Sequence, residues 1–233
     1  MLKPFELDRV VDLPADPATV FEAVSTGTGG WMFPSEIEPA VGGDNGDAKT
    51  ARWVPGRRLT VAVGDESAWY NTLDYEIEPT ETGSRLRYQH RSVLEDDVWD
   101  VQFAACDRHT DFYLHTLGEY VDHFPGRAAT YVDVNASEAS ATPDGFAKLR
   151  SALGVEAVGQ RVRIDVTGLG VLDATVDFAN SNFIGLRTED AMYRFFGRNA
   201  WGGPVGMSAH VFAESDPDTI EKALQAWLDG IYE

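Results

Sequence analysis

Hydrophobic and polar residues alternate along five stretches of the first half of the chain, and each stretch predicts a β-strand. Turns at Pro55-Gly56, Gly64-Asp65 and Thr82-Gly83 separate the last four of them, which is typical of an antiparallel meander. A short helix is predicted from Asp16-Pro17, a capping residue followed by proline at the first helical position. The predicted strands span residues 5–13, 49–54, 58–63, 68–78 and 84–93.

The pattern changes to a helical period at residues 105–127, which predict one long amphipathic helix that ends at Pro125-Gly126. On a helical wheel one side is apolar and can cover the sheet. His115 and Glu119 fall on the opposite side, which we expect to face solvent. His109 and Thr116 lie at the edge of the apolar side, where they can face a cavity. The apolar side consists of Tyr113, Leu114, Leu117, Tyr120, Val121 and Phe124.

The same order of elements recurs after Pro125-Gly126. Residues 129–134 alternate as a strand, a helix is predicted up to Leu153, and Asp216-Pro217 begins a C-terminal helix. Between these helices, strands are predicted at residues 160–166, 171–178, 182–187, 191–196 and 205–213. The sequence therefore predicts an α+β protein with two domains of one architecture, residues 1–126 and 127–233. One fused sheet is the alternative.

Two of the predicted strands have an aromatic face. Side chains alternate across a sheet, so Leu86, Tyr88 and His90 share one face while arginines share the other. By the same alternation Tyr75 lies on the inner face of the preceding strand. An inner face that combines aromatic rings with polar atoms is unusual for a plain core and favours a binding site.

Several short motifs of the first half resemble the START-like superfamily, also called SRPBCC. They are Val20-Phe21-Glu22-Ala23-Val24, Gly30-Trp31, Trp53-x-Pro55-x-x-Arg58-Leu59, the hairpin Gly83-Ser84-Arg85-Leu86 and the long closing helix. Within the superfamily they are most similar to the branch of homologues of the heat-shock-chaperone ATPase activator. The resemblance covers residues 1–126, and the second half is similar in element order only.

This resemblance implies a helix-grip fold, in which a curved antiparallel sheet wraps a long C-terminal helix and a pocket lies between them. Members of the superfamily bind lipids, polyketides or hormones, others have no known ligand, and a few are cyclases or hydrolases. The second domain, as a divergent copy, lacks the tryptophan-proline motif.

Composition and charge narrow the classes of function. The chain has 233 residues, of which 19 are basic and 38 acidic, and its net charge of −19 repels nucleic acids and anionic membranes. The single cysteine, Cys106, cannot form an intramolecular disulfide and fits a reducing compartment. We find neither a signal peptide nor an apolar run long enough to span a membrane. These features predict a cytoplasmic protein.

The polar residues of the long helix do not predict a metal or a catalytic site. His115, Glu119 and His123 are spaced like ligands of a divalent metal, but they lie on or next to the solvent side and lack the HExxH order. His90 and His109 have the chemistry of general bases, yet no serine or cysteine nucleophile lies in a recognisable motif, and on the helical wheel Cys106 points away from His109 and the possible site. We therefore predict no metal, no cofactor and no catalytic residue.

We predict that the first domain binds a small apolar molecule in a cavity of about 300 Å³ or more between sheet and helix. A chaperone-associated protein-interaction module, with a chaperone or other protein as partner, is the alternative, and a cyclase or hydrolase is the third. The residues predicted to contact the ligand are Trp31, Trp53, Tyr75, Tyr88, His90, Trp99, His109, Tyr113, Thr116 and Tyr120.

Overall fold

The structure of the protein is a computed structural model that describes residues 1–35, 44–45, 48–64 and 69–233. Its contacts divide the chain into two compact units, Met1–Ala128 and Ala129–Glu233. Asp65 of the predicted turn Gly64-Asp65 lies outside the described residues, as does Ala68 at the start of one predicted strand. No helix of the described ranges has both the length and the apolar composition that a membrane span requires.

The first unit is a six-stranded antiparallel sheet with a short helix and a long C-terminal helix. The strands pair in the order β1-β6-β5-β4-β3-β2, so that the first strand lies beside the last. The elements are β1 (Leu2–Leu13), α1 (Pro17–Val24), β2 (Asp44–Asn45), β3 (Ala48–Val54), β4 (Arg58–Gly64), β5 (Tyr70–Pro79), β6 (Ser84–Glu95) and α2 (Trp99–His123).

Local chemistry sets the limits of both helices of this unit. The side chain of Asp16 accepts hydrogen bonds from the backbone N–H groups of Ala18 and Thr19 and so caps α1, as the sequence predicts. At the C-terminal end of α2, the N–H of Phe124 donates to Tyr120 O at 2.8 Å, and Gly126, with a φ of +71°, ends the helix. The predicted stop at Pro125-Gly126 is therefore close to the observed end.

The start of α2 differs from the prediction, because the helix begins at Trp99 and not at residue 105. The residue before it, Val98, offers no capping side chain, so the sequence lacks the usual signal of a helix start. The extra turn is held by side-chain packing. The rings of Trp99 and Phe103, four residues apart, stack with centroids 4.7 Å apart.

The second unit repeats this arrangement with a shorter closing helix. Its strands pair antiparallel in the order β7-β12-β11-β10-β9-β8. This is the order of the first sheet, because in both units the first strand lies beside the last and the others follow in reverse. The elements are β7 (Thr130–Asn135), α3 (Gly145–Leu153), β8 (Arg161–Val166), β9 (Gly170–Ala179), β10 (Phe183–Arg187), β11 (Ala191–Phe196), β12 (Gly206–Val211) and α4 (Pro217–Asp229). The predicted α+β fold class, with helix-grip geometry, is confirmed, and the two sheets fit a tandem arrangement.

Candidate ligand-binding site

Strand pairing in the first sheet brings the predicted inner-face residues together. Tyr75 of β5 lies directly opposite Tyr88 of β6, with ring centroids 5.2 Å apart. His90, two residues further along β6, lies on the same face, 6.5 Å from the Tyr88 ring. Phe5 of β1 packs edge-on against His90 at 5.0 Å. These four rings form a continuous aromatic surface across three strands.

The N-terminal half of α2 covers this surface. Phe103 packs edge-on against Phe5 with ring centroids 5.8 Å apart. Burial raises the pKa of Tyr88, and its neighbours Tyr75 and Cys106 raise this pKa further, which places Cys106 close to the phenol. We expected Cys106 to point away from the site. The structure corrects this expectation, because Cys106 lies one helical turn after Phe103 on the side that faces the sheet.

The polar atoms on the aromatic surface are uncharged at neutral pH. His90 Nε2 lies 2.6 Å from Asn71 Oδ1, and because an amide oxygen only accepts, Nε2 carries the ring proton and Nδ1 is left as an acceptor. Burial lowers the pKa of His90 to about 4. Burial also raises the pKa of the Tyr75 phenol, so that the hydroxyl stays protonated. The surface therefore offers neutral donors and acceptors to a ligand.

Burial changes along α2 in a way that separates the site from the core. Every fully buried residue of this helix lies at position 110 or later, and Phe112 and Leu117 have no exposed surface. In the first half, Phe103 and Cys106 face the sheet but keep part of their surface exposed. The helix is thus sealed against the sheet at its C-terminal half and less completely covered at its N-terminal half.

Three predicted ligand contacts lie in the sealed part of the unit. Trp31 is buried and donates from Nε1 to Ala23 O at 2.9 Å. Thr116 donates to the carbonyl of Phe112, one turn back in its own helix, at 2.9 Å. The hydroxyl of Tyr120 donates to the backbone oxygen of Arg127 at 3.1 Å. Their hydrogen bonds and their burial are typical of core residues, so we place Trp31, Thr116 and Tyr120 outside the site.

The other four predicted contacts are partly exposed. Trp53 packs edge-on against Phe21 of α1, with ring centroids 4.9 Å apart, which places it towards α1. Trp99 lies at the start of α2, where its ring is covered by the ammonium group of Lys3 at 3.9 Å. His109 donates from Nδ1 to the backbone oxygen of Ala105 at 2.7 Å. Tyr113, the fourth residue, follows one turn later, and its ring lies 6.4 Å from that of His109.

Arg9 lies on the face of β1 that also carries Phe5, but the sequence did not identify it as part of the site. It lies opposite Tyr88 in the strand register. Its guanidinium group binds Asp107 and, at 2.7 Å, Asp111, both on α2. The alternation of side chains along β1 indicates the face on which Arg9 lies. Its partners on α2 do not follow from that alternation, because they depend on how α2 crosses the sheet. The three side chains fix the helix to β1 and leave the guanidinium engaged by carboxylates.

An open groove of about 470 Å³ lies on the other side of this contact, between β1 and α2. It is lined by both acidic and apolar side chains, among them Asp12, Leu13, His115 and Glu119. His115 and Glu119 line this open groove, and both side chains keep part of their surface exposed. Glu119 is 3.9 Å from His115 and 3.7 Å from His123, and no group of three metal-binding side chains occurs within the described ranges.

The space between sheet and closing helix is filled in the second unit. A cavity of about 10 Å³ remains there, enclosed entirely by apolar or aromatic side chains. This volume is no larger than a single water molecule needs. The residues around it include Leu186, Tyr193, Phe195, Leu224 and Trp227.

Comparison with known proteins gives matches only at the level of solved structures. No protein-family model and no curated protein matches the sequence. One structural match is protein MLL2253 from Mesorhizobium loti, which is 17% identical with a TM-score of 0.42, and the alignment covers 52% of this chain and 98% of that protein.

Two further matches have the same extent. A protein of unknown function from Staphylococcus aureus, SA2116, is 14% identical with a TM-score of 0.42, and 52% of this chain aligns with 93% of it. The Aha1 dimer from Colwellia psychrerythraea, solved in solution, is 15% identical with a TM-score of 0.40, over 50% of this chain and 96% of that one. Similarities of this size say nothing about activity, ligand or partner.

Proposed function

We propose that the first unit binds a small hydrophobic molecule between the inner face of its sheet and the N-terminal half of α2. The site consists of Tyr75, Tyr88 and His90 on the sheet, with Phe103 and Cys106 on the helix. The protein acts in this proposal by holding the molecule, and no group of the site is assigned to a reaction.

The uneven burial along α2 is the observation that supports this proposal. Phe103 faces an aromatic surface and yet keeps part of its own surface exposed, whereas Phe112, on the same helix, is completely buried. Protein cores are close-packed, so a large apolar side chain that faces a sheet is normally covered. Exposed surface between the two layers is the space that a hydrophobic ligand would occupy.

The second unit supplies an internal comparison. We infer that it is a divergent copy of the same fold, because its strand order repeats that of the first unit. Its corresponding space holds only about 10 Å³. We therefore assign ligand binding to the first unit. In the second unit, side chains fill the space between the sheet and the closing helix.

Native mass spectrometry of the full chain, followed by organic extraction, tests whether a molecule copurifies. We expect a mass above that of the polypeptide that disappears under denaturing conditions. Binding of naphthalene is measured by its own fluorescence. A protein that carries no molecule and binds no naphthalene would contradict the proposal.

A variant that fills the space gives a sharper test. Replacing Cys106 by phenylalanine adds a ring on the sheet-facing side of α2, and we expect it to abolish naphthalene binding while the melting temperature is kept. If the space were already filled, the same change would cost about 1–3 kcal/mol of stability through overpacking. Val101→Phe is the matched control, because Val101 is on the same helix but is 52% exposed, and this variant should bind naphthalene like the unchanged protein.

A further inference from the structure

One edge of the first sheet is open. β1 is the first strand in the pairing order, and within the described ranges only β6 pairs with it. The N–H of Asp96 donates to Met1 O at 2.9 Å and continues the register in which Leu2 lies opposite Glu95. Hydrogen-bonded and non-bonded pairs alternate along an antiparallel ladder, and this register runs without a shift. The even-numbered residues of β1 therefore direct their backbone N–H and C=O groups to the open edge.

Only the last part of this edge is ready to pair with another chain. Pro4 has no N–H to offer, and the carbonyl of Asp8 already accepts from Arg9 Nη1 at 3.2 Å. The outward backbone groups of Val10 and Asp12 form no hydrogen bond to the part of the chain that the structure describes. The side chain of Val10 is 58% exposed, so nothing in the first unit covers it. An open strand edge of this kind is a template for a further strand.

The groove between β1 and α2 adjoins this part of the edge. Val11 and Asp12 of β1 and Leu114 of α2 line it, and its volume is about 470 Å³. Side chains of a strand point alternately to its two faces, so every second side chain of a strand added to β1 would enter the groove. Free backbone groups beside a groove for alternate side chains are the combination by which sheets bind extended peptides.

The charge of the groove selects a basic partner. Its lining includes one arginine, Arg9, which is already bound to a carboxylate of α2 at 2.7 Å. A lysine or arginine of the partner can lay its aliphatic stem on Val11 and Leu114 and keep its charged end beside the acidic groups. The four carboxylates of the groove belong to Asp12, Asp111, Glu119 and Asp122.

A second copy of the chain is a poor match for the same edge. Around Val10, the residues that β1 directs to the edge are Glu6, Asp8 and Asp12. Two β1 strands paired with each other would place these like charges opposite one another, which destabilises a sheet. The net charge of −19 adds a general repulsion between copies.

We propose that a basic, extended segment of another protein adds a strand to β1 at Val10 and Asp12 and lays alternate lysine or arginine side chains in the groove. The lining of the groove contains no residue of the proposed ligand site. Strand addition is therefore independent of ligand binding, and the two can be tested separately.

A short peptide that alternates lysine and valine, with acetylated and amidated ends, is the probe for the full chain. The fluorescence anisotropy of an attached dye reports its binding. We expect saturable binding, and none for a peptide with glutamate in place of lysine. Methylation of the central backbone nitrogens keeps the side chains and the charge but removes the donors to the carbonyls of Val10 and Asp12. Loss of these two hydrogen bonds should weaken binding at least about tenfold.

Two pairs of aspartates test the role of charge. Asp12→Asn/Asp122→Asn removes two exposed carboxylates of the groove, and we expect it to weaken binding of the lysine peptide about three- to tenfold. Asp165→Asn/Asp218→Asn is the matched control, because it changes the net charge equally at exposed positions of the second unit. It should leave the affinity within about 1.5-fold.

Val10→Pro tests the edge itself. It removes an outward N–H without breaking a bond to β6, and we expect it to weaken binding at least about threefold. Val10→Thr keeps the N–H and should bind like the unchanged protein. The melting temperatures show whether both variants fold, and if Val10→Pro does not, the methylated peptide answers the same question on the unchanged protein.

Four results would overturn the proposal: no binding of the lysine peptide, equal binding of the glutamate peptide, an unchanged affinity after methylation, or equal effects of the two aspartate pairs. A dimer in sedimentation that Val10→Pro dissociates would also overturn it, because a second copy would then occupy the edge.

Discussion

Replacing Tyr75 by phenylalanine is expected to leave the stability of the ligand-free protein almost unchanged, although removing a hydroxyl from a buried tyrosine usually destabilises a fold. Tyr75 is 4% exposed, and its hydroxyl forms no hydrogen bond to the described residues. The oxygen is not one of their buried polar atoms without a partner, so water reaches it and satisfies it. We therefore expect Tyr75→Phe to change the free energy of unfolding by less than about 0.5 kcal/mol.

Tyr120→Phe is the matched comparison and should destabilise the protein. Tyr120 is 3% exposed, and its hydroxyl donates to Arg127 O at 3.1 Å. Loss of this bond should lower the free energy of unfolding by about 0.5–1.5 kcal/mol. The difference between the two variants is thus about 1 kcal/mol for the same chemical change at almost the same burial.

Urea unfolding of the full chain, followed by tryptophan fluorescence after extraction of any bound molecule, measures both variants. The transition that Tyr120→Phe shifts identifies the first unit, which is needed because two units can unfold separately. A loss of 1 kcal/mol or more in Tyr75→Phe would show that this hydroxyl is bonded within the protein. That result would refute the reasoning on stability.

Three further predictions concern pH, backbone packing and a buried ion pair. Because burial lowers the pKa of His90 to about 4, the unfolded chain takes up a proton before the folded one as the pH falls. Stability should fall by up to about 1.4 kcal/mol per pH unit from about pH 6.5 to 4, and His90→Gln should remove this part of the slope in urea unfolding. A Cβ on Gly30 would lie 2.4 Å from a tyrosine ring, whereas one on Gly29 would have ordinary contacts of 3.6 Å. Gly30→Ala should therefore lower the free energy of unfolding by about 1–3 kcal/mol and Gly29→Ala by much less; equal melting temperatures would contradict this. Asp177→Ala should cost about 3–5 kcal/mol, because Arg194, bound to it at 2.6 Å, stays buried without its counter-charge. Replacing both residues by leucine and methionine should restore most of this loss, as measured by the melting temperature.

The alternation of side chains predicted the faces of the strands because it depends only on local geometry. Tyr75, Tyr88 and His90 lie on one face, and the cross-strand pairing of Tyr75 with Tyr88 follows from the hairpin between β5 and β6. The helical wheel was less reliable, since it fixes which residues share a side of α2 but not how far that side is covered. Cys106 was therefore placed outside the site, although it lies close to the phenol of Tyr88.

Hydrogen bonding separated ligand candidates that looked alike in the sequence. His109 and Thr116 lie at the edge of the apolar side of α2 and Tyr120 lies on that side, and the sequence makes all three ligand candidates. In the structure the hydroxyls of Thr116 and Tyr120 donate to backbone oxygens, one to Phe112 and the other to Arg127. Whether a polar group finds a partner depends on atoms that are distant in sequence or on the exact rotamer, and no periodic pattern contains that information.

The sequence by itself determined the α+β class, the order of the elements, the aromatic inner face and the end of α2 near Pro125-Gly126, because each follows from local periodicity or turn chemistry. Only the tertiary structure decided where α2 crosses the sheet, and so which of its halves is sealed. It placed Arg9 against two carboxylates of α2, and it packed Phe103 of α2 against Phe5 of β1. These features arise from contacts between residues that are about 100 positions apart, as Arg9 and Asp111 are, and such contacts exist only once the layers have packed.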